Sequence, residues 1–392
     1  MPHVCERDGH MPEGRRKSMI EFIDGNDAVV RGAIDAGCRF FAGYPITPAS
    51  SILVSMMREL PLVGGVAIQG EDEIASIGMC IGAAMTGLKA MTATSGPGVS
   101  LCSENVGLAI MGETPLVIVN VQRQGPATGS ATKGSDGDIF FMRWVTSGGF
   151  PMIILAPENV QDCYTLTVAA FNFAERYRVP VFLASQKEVG LTREVFDYDR
   201  ARAEAPPPFP RPVAAVDCVY EPYACPSPGE APPMSPIGGP HLVRYTTSTH
   251  DQRAYLTGDP DIIEQMVNHY RDKILDHAEE MGIFEHDPQA GADTLVIAYG
   301  VCARSARSAV EEVRALGGKV SLLVLKTIYP MQRRIILEAA AGVSRVVVPE
   351  MNLGQYVWEI RAMLHDKEVI SVSKMDTTLI APDEIIAEGG LL

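Results

Sequence analysis

The sequence predicts an α/β protein built from two doubly wound parallel-sheet domains. Three observations carry this reading. Strand and helix signals alternate from Ile20 to about Val195, they alternate again from Thr294 onward, and a stretch crowded with prolines separates the two blocks. Alternation of this kind is what parallel sheets with helical crossovers produce. A chain of 392 residues has room for two or three such units.

In the first block, strands are expected at Phe40 to Ala42, Val66 to Gln69, Ala90 to Thr94, Leu116 to Val121, Met152 to Leu155 and Val181 to Leu183. Their apolar runs are continuous rather than alternating, as strands covered on both faces require. Glu71, Asp72 and Glu73 open a small-residue helix expected over Ile74 to Leu88. The following strand ends in Ser95-Gly96-Pro97-Gly98, a turn that lets backbone pass close to a ligand.

From Ala205 to Pro240 the prolines exclude a central strand or a helix interior, so this stretch is expected to wrap over a surface in extended form. A helix should follow over Gly258 to Met281, capped by Asp259 or Asp261. The second block should contain strands Leu295 to Ala298, Val320 to Leu325, Arg345 to Pro349 and Glu368 to Ser373, with a clear helix over Ala303 to Leu316. The expected division is a disordered or extended tail (1–18), a first domain (19–200), a proline-rich linker with its helix (201–290) and a second domain (291–392).

Composition narrows the function. Hydrophobic content of 46% and charged content of 21% are those of an ordinary globular chain. A formal net charge of −15 argues against nucleic acid as a partner and leaves a basic partner open. No apolar run is long enough for a membrane span, and the first 17 residues carry charges of both signs without an apolar core, unlike a secretory signal. The eight cysteines, Cys5, Cys38, Cys80, Cys102, Cys163, Cys218, Cys225 and Cys302, include no CxxC pair. They read as small hydrophobes of a cytoplasmic protein in the reducing cytosol, with no iron-sulfur cluster and no metal-ligand set in this chain.

Several side chains are candidates for a site. Gly43-Tyr44-Pro45-Ile46-Thr47-Pro48-Ala49-Ser50-Ser51 follows a strand, and its prolines fix an extended loop where open α/β sheets place ligands. Thr47 could aim its hydroxyl at a ligand, or Thr47, Ser50 or Ser51 could cap a helix. Glu71 and Asp72 suit a solvated first helical turn. Glu73 faces apolar neighbours, where a carboxylate needs a specific donor. Arg123 lies just past a strand, where its guanidinium suits a carboxylate or solvent. Gly300 reads as a turn or, less often, an anion site.

Glu73 with Gly82, Thr92-Ala93-Thr94-Ser95-Gly96-Pro97-Gly98 and Glu113-Thr114-Pro115-Leu116-Val117 resembles the pyrimidine-binding domain of thiamine-diphosphate enzymes such as acetolactate synthase. Together with GYPITPASS, EDEIASIG, ATSGPG and Val348-Pro349-Glu350-Met351-Asn352-Leu353-Gly354-Gln355-Tyr356, the chain resembles the α subunit of 2-oxoacid:ferredoxin oxidoreductases, notably the 2-oxoglutarate type. The resemblance covers about residues 20 to 390 and implies a thiamine-diphosphate pyrimidine-binding domain plus a transketolase C-terminal-like domain.

In that family one glutamate hydrogen-bonds N1′ of the cofactor's aminopyrimidine and shifts it to the tautomer that removes the thiazolium C2 proton. Spacing to Gly82 gives this role to Glu73, with Glu71 the fallback. Pro45, Ile46, Ser95 and Gly96 would line the cofactor. Thr47 matches a threonine facing substrate and thiazolium, and Arg123 the arginine on the substrate carboxylate. Thr128 and Lys133, in the loop from Gln124 to Gly134, would meet a second carboxylate. The family usually has Ser where this chain has Ala127, and Leu-Pro-Thr or Gln-Pro-Thr where it has Ser130-Ala131-Thr132. That departure bears on the substrate rather than on the family.

The Gly-Asp-Gly motif that holds Mg²⁺ and diphosphate has no full match here, and Ser135-Asp136-Gly137-Asp138 is a near match without the first glycine. The resemblance therefore implies half a site. A β subunit would supply the Mg²⁺ and diphosphate domain and a [4Fe-4S] cluster, in an (αβ)2 assembly or one with further small subunits, and coenzyme A and ferredoxin would complete the reaction. The alternatives are pyruvate, branched-chain or aryl 2-oxoacids as substrate, a split non-oxidative decarboxylase, and a noncatalytic assembly protein.

Overall fold

The computed structural model describes residues 19–227 and 229–392, so the tail expected at 1–18 and Cys5 lie outside the described residues. In chain order the strands of the first block are β1 (Ile20–Asp24), β2 (Cys38–Gly43), β3 (Val66–Gln69), β4 (Lys89–Thr94), β5 (Leu116–Gln122), β6 (Ile153–Leu155), β7 (Pro180–Gln186) and β8 (Arg193–Asp197). Those of the second are β9 (Phe284–Asp287), β10 (Thr294–Ala298), β11 (Val320–Leu325), β12 (Thr327–Tyr329), β13 (Arg345–Glu350) and β14 (Glu368–Ser373).

Seven strands form the larger sheet in the order β12-β6-β7-β5-β4-β2-β3, parallel except for β12 at its edge. Every residue of β5 and β7 is buried, as the continuous apolar runs require. Val117, Val119 and Val121 of β5 face one core, with the helices Gly25–Asp35, Ser50–Glu59 and Val160–Tyr177. Leu116 and Ile118 face the other, with the helices Glu73–Met85 and Pro97–Met111. The chain runs outward from β2 to β3, then returns to the far side of β2 as β4. This reversal opens a crevice at the carboxyl ends of β2 and β4, where ligands of open α/β sheets bind.

The second sheet has the order β14-β13-β10-β11-β9, again with one antiparallel edge, β9. Both sheets are thus mixed at one edge rather than purely parallel. β12 leaves the second block to pair with β6 of the first sheet, and β1 and β8 form a separate antiparallel pair. These strands are three to five residues long, too short for a clear periodic signal.

Two helix ends differ from expectation. The Glu73–Met85 helix ends before Leu88 because Gly87 turns the backbone with φ +100°. The helix expected through Met281 spans Pro260–Leu275, with Asp259 capping the N–H groups of Asp261 and Ile262. Beyond it Met281 is buried, and its carbonyl accepts from Thr327 Oγ1 at 2.6 Å, so the chain is drawn into the second block.

Among its described residues the proline-rich segment pairs with itself at one isolated bridge, Val213 with Met234, and side chains of the first domain satisfy further carbonyls. Lys89 Nζ donates to Phe209 O at 2.8 Å, Asn172 Nδ2 to Pro207 O at 2.9 Å, and Arg178 Nη1 to Pro232 O at 3.0 Å. In return, Arg211 makes a two-pronged pair with buried Glu175 and donates to Ala84 O.

Candidate active site

Four consecutive β-to-α connections deliver their residues to the crevice. Thr47 follows β2, Glu73 follows β3, Ser95 and Gly96 follow β4, and Arg123 follows β5. The neighbouring acids separate cleanly. Glu71 is exposed, and Asp72 caps its helix by accepting from Ala75 N at 2.7 Å. Glu73 is buried.

The Glu73 carboxylate has one near side-chain partner, the Thr94 hydroxyl, 3.5 Å from Oε1. Gly98 makes the approach possible: a Cβ there would sit 2.0 Å from Thr94 Oγ1 and 2.5 Å from Glu73 Oε1. Cys102 lies beneath, its thiol pushed up to about 12 by burial and by the charge of Glu73. It is an inert wall rather than a nucleophile.

Arg123 is buried and donates through Nη1 to the carbonyl of Thr47 at 2.6 Å. Its Nε is buried without a partner. Gly96 lies over it with φ +39°, its Cβ position 3.7 Å from Arg123 Cγ. Ser95 is fully buried, and its hydroxyl too has no partner. Pro45 and Thr47 are exposed, and Ile46 is half-buried.

The capping alternative for the Thr47 loop is not what the chain does. Ala49 is the N-cap of Ser50–Glu59 and no side chain caps it. Ser51 Oγ accepts instead from Asn26 Nδ2, which also donates to Pro48 O. Asn26, buried at the start of its helix, was not foreseen as the loop's anchor. Asp138, which the sequence offers only as the end of the Ser135-to-Asp138 stretch, accepts from Asn120 Nδ2 at 3.0 Å. Burial raises its carboxyl, against the Asn120 hydrogen bond and the charge of Arg123.

The loop after Arg123 closes on itself. Gln124 N donates to Lys133 O and Ser130 N to Gln124 O. Gly129, at φ +50°, cannot carry a side chain, since a Cβ would lie 1.8 Å from Gln124 O. Thr128 and Lys133 are both exposed on this loop, and among the described residues neither side chain has a hydrogen-bond or ionic partner. The structure therefore brings Glu73, Thr47, Ser95, Gly96 and Arg123 to one crevice and leaves Thr128 and Lys133 exposed on the loop that follows Arg123.

The second sheet reverses in the same way between β10 and β13, and its crevice is filled by the first domain. Asp136 N and Ser135 Oγ donate to Met351 O, and Asn352 Nδ2 donates to Asp136 O. Gln355 accepts from Phe140 N and donates to Gly137 O. Glu350, fully buried, accepts from Tyr299 OH, Asn352 Nδ2 and the N–H groups of Tyr356 and Val357. The Val348-to-Tyr356 motif is thus a clasp between domains. Ser135-Asp136-Gly137-Asp138 is part of that clasp: Asp136 is fully buried, its carboxyl pushed up to about 8 by burial and by Glu350 and Glu188. Gly300 serves as a turn at φ +54°, beside Gln186.

Among known proteins, the family model described as pyruvate flavodoxin/ferredoxin oxidoreductase, thiamine diP-bdg, matches residues 31–268. The pyruvate:ferredoxin oxidoreductase core domain II matches residues 292–385. The chain is 42% identical over 374 residues to the 2-oxoglutarate synthase subunit KorA of Methanocaldococcus jannaschii, covering 93% of this chain and 98% of that one. It is 32% identical to the ketoisovalerate oxidoreductase subunit VorB of Methanothermobacter thermautotrophicus, covering 93% and 96%. Among solved structures it resembles the 2-oxoglutarate:ferredoxin oxidoreductase from Magnetococcus marinus with 2-oxoglutarate, coenzyme A and succinyl-CoA bound, at TM-score 0.87 and 31% identity. The match covers 95% of this chain and 65% of that one, so this chain spans about two thirds of that protein's length. A split gene transketolase shares the fold at TM-score 0.52 and 12% identity, covering 93% and 95%.

Proposed function

This chain belongs to the pyruvate flavodoxin/ferredoxin oxidoreductase family, and from that premise we propose that it is the α subunit of a 2-oxoglutarate:ferredoxin oxidoreductase. The reaction is oxidative decarboxylation of 2-oxoglutarate to succinyl-CoA and carbon dioxide, with electrons passed to ferredoxin. Relatives of the 2-oxoglutarate type are more similar than those of the branched-chain type, 42% against 32% over comparable spans.

The observation that carries this reading is the buried Glu73 carboxylate at the sheet's reversal point. Thr94 at 3.5 Å is a weak partner for a buried charge, and the Ser95 hydroxyl beside the same turn has none. A ring nitrogen able to share a proton with Glu73 fits this deficit, so the residues suit the aminopyrimidine of thiamine diphosphate. When bound, that cofactor supplies the electron sink that lets the substrate's carboxylate carbon leave as carbon dioxide.

This chain's own part is positioning and proton handling. Glu73 shares a proton with the pyrimidine nitrogen, and its burial keeps water from competing for it. Ser95, Gly96, Pro45 and Ile46 are the residues that would hold the ring. Arg123, anchored on the Thr47 carbonyl, presents its remaining donors to the substrate's carboxylate, with the Thr47 side chain alongside. Thr128 and Lys133 bring a hydroxyl and a cation toward the distal carboxylate as the loop closes.

A β subunit supplies the Mg²⁺ and diphosphate site and the [4Fe-4S] cluster, since no Gly-Asp-Gly occurs here and Asp136 is committed to the interdomain clasp. The relatives are themselves named as subunits, which supports an αβ assembly. Among the described residues no helix is long and apolar enough to cross a membrane. The test is viologen reduction by the complex of this chain with its β subunit, with coenzyme A and a panel of 2-oxoglutarate, pyruvate, branched-chain and aryl 2-oxoacids. Turnover should be fastest with 2-oxoglutarate. A preference for another acid would overturn the substrate, and carbon dioxide released without an electron acceptor would favour a non-oxidative decarboxylase.

A further inference from the structure

A second cluster of chemically competent side chains lies away from the crevice, where the proline-rich segment meets the first domain. Glu113 precedes β5, Cys225 lies in the proline-rich segment, and His269 is on the Pro260–Leu275 helix. His269 Nε2 is 3.2 Å from Glu113 Oε2, and Cys225 Sγ is 3.5 Å from His269 Nε2. One ligand atom from each of the three falls within 4.8 Å of the others. For tetrahedral zinc, with Zn–S about 2.3 Å and Zn–N or Zn–O about 2.0 Å, ligand atoms stand about 3.5 Å (S to N) and about 3.3 Å (N to O) apart. The two spacings, the second of them to Oε2, are of this size; Cys225 Sγ is equally 3.5 Å from His269 Nδ1, so the imidazole would turn about its Cβ–Cγ bond to direct Nε2 at an ion.

Two further observations point to a ligand. Glu113 Oε1 is buried and has no hydrogen-bond partner, although the residue is fully buried and held at φ +45°, an uncommon conformation for a non-glycine. Glu113, Cys225 and His269 also line a cavity of about 100 Å³, shared with His250, Gln265 and Tyr270, which has room for an ion and a water as fourth ligand. Lys273 Nζ donates to Glu113 Oε2 at 2.9 Å. Oε2 can keep that bond on one lone pair and face an ion with the other, and the unpartnered Oε1 is free to join it. Thiolate and carboxylate then set two negative charges against the three positive charges of the ion and Lys273, so the loaded site would carry one net positive charge in a chain of net charge −15.

We propose that Glu113, Cys225 and His269 form a binding site for a divalent transition ion of the zinc class, which staples the proline-rich segment and its helix onto the first domain. Binding releases the thiol proton to solvent and involves no redox step. The site was not legible in the sequence, where its ligands are 112 and 44 residues apart and show no metal-binding spacing. It is independent of the reaction proposed above.

The test uses the full chain, stripped of metal and titrated with Co²⁺. One ion per chain should bind with thiolate-to-cobalt charge-transfer absorption, and Zn²⁺ should displace it. Cys225→Ser should abolish that absorption, while Cys218→Ser should leave it unchanged. His269→Ala should weaken binding roughly tenfold or more. Saturating Zn²⁺ should raise the Tm of the wild-type chain by about 3–5 °C and leave Cys225→Ser unmoved. No Co²⁺ uptake, uptake without the thiolate signature, or a signature that survives Cys225→Ser would each overturn the proposal. These readouts compare soluble wild type with Cys225→Ser, so a folding failure of His269→Ala does not decide the outcome.

Discussion

Arg123 donates to the backbone carbonyl of Thr47 across 2.6 Å, fastening the end of β5 to the loop after β2. The guanidinium thereby fixes the loop with one nitrogen, and its planar fork leaves others for the substrate carboxylate proposed above. Lysine has one nitrogen for both tasks. Arg123→Lys should raise KM for the 2-oxoacid by roughly 10- to 100-fold, with a smaller change in kcat. Steady-state viologen reduction by the reconstituted complex checks this, and an unchanged KM would remove Arg123 from the substrate site.

Gly98 is needed for contact rather than for its backbone angle. A methyl group there would sit 2.0 Å from Thr94 Oγ1 and 2.5 Å from Glu73 Oε1. Gly98→Ala should therefore displace the Glu73 carboxylate, weaken thiamine-diphosphate binding by the assembled complex, and lower stability by about 1–3 kcal/mol. Calorimetric titration with the cofactor and urea unfolding read the two effects separately.

Much of this arrangement could be read from the chain because it is local. Continuous apolar runs located the central strands, and the apolar neighbours of Glu73 set it apart from Glu71 and Asp72. What could not be read depends on contacts distant in sequence. Asn26 anchors the Thr47 loop from 22 residues away, and Asn352 reaches Asp136 O across 216. The short strand β12 follows so closely on β11 that it reads as its continuation, yet it joins the other sheet. Resemblance identified the Val348-to-Tyr356 motif, but only the structure reveals it as a clasp filling the second crevice.

That clasp should respond to pH through Asp136. Burial, with Glu350 and Glu188 nearby, raises its folded-state pKa from the usual carboxylate range to about 8. The folded state then holds a proton that the unfolded chain releases near pH 4. The resulting stability is fully present below about pH 4 and is lost as pH rises toward 8. Asn mimics the protonated side chain at every pH. Asp136→Asn should match the wild type below about pH 4 and become progressively the more stable of the two as pH rises toward 8. Thermal melts of both chains over this range check it, and a constant difference would show that Asp136 does not titrate there.

The central claim is that Glu73 handles the cofactor's proton in the oxidative decarboxylation of 2-oxoglutarate. The most direct measurement is 2-oxoglutarate-dependent viologen reduction by the thiamine-diphosphate-loaded complex, comparing wild type with Glu73→Gln, which keeps the side chain's size. Activity should fall by roughly 10²- to 10⁴-fold, with the Tm of the complex little changed. A Glu73→Gln complex that retains most of the wild-type rate would contradict the account.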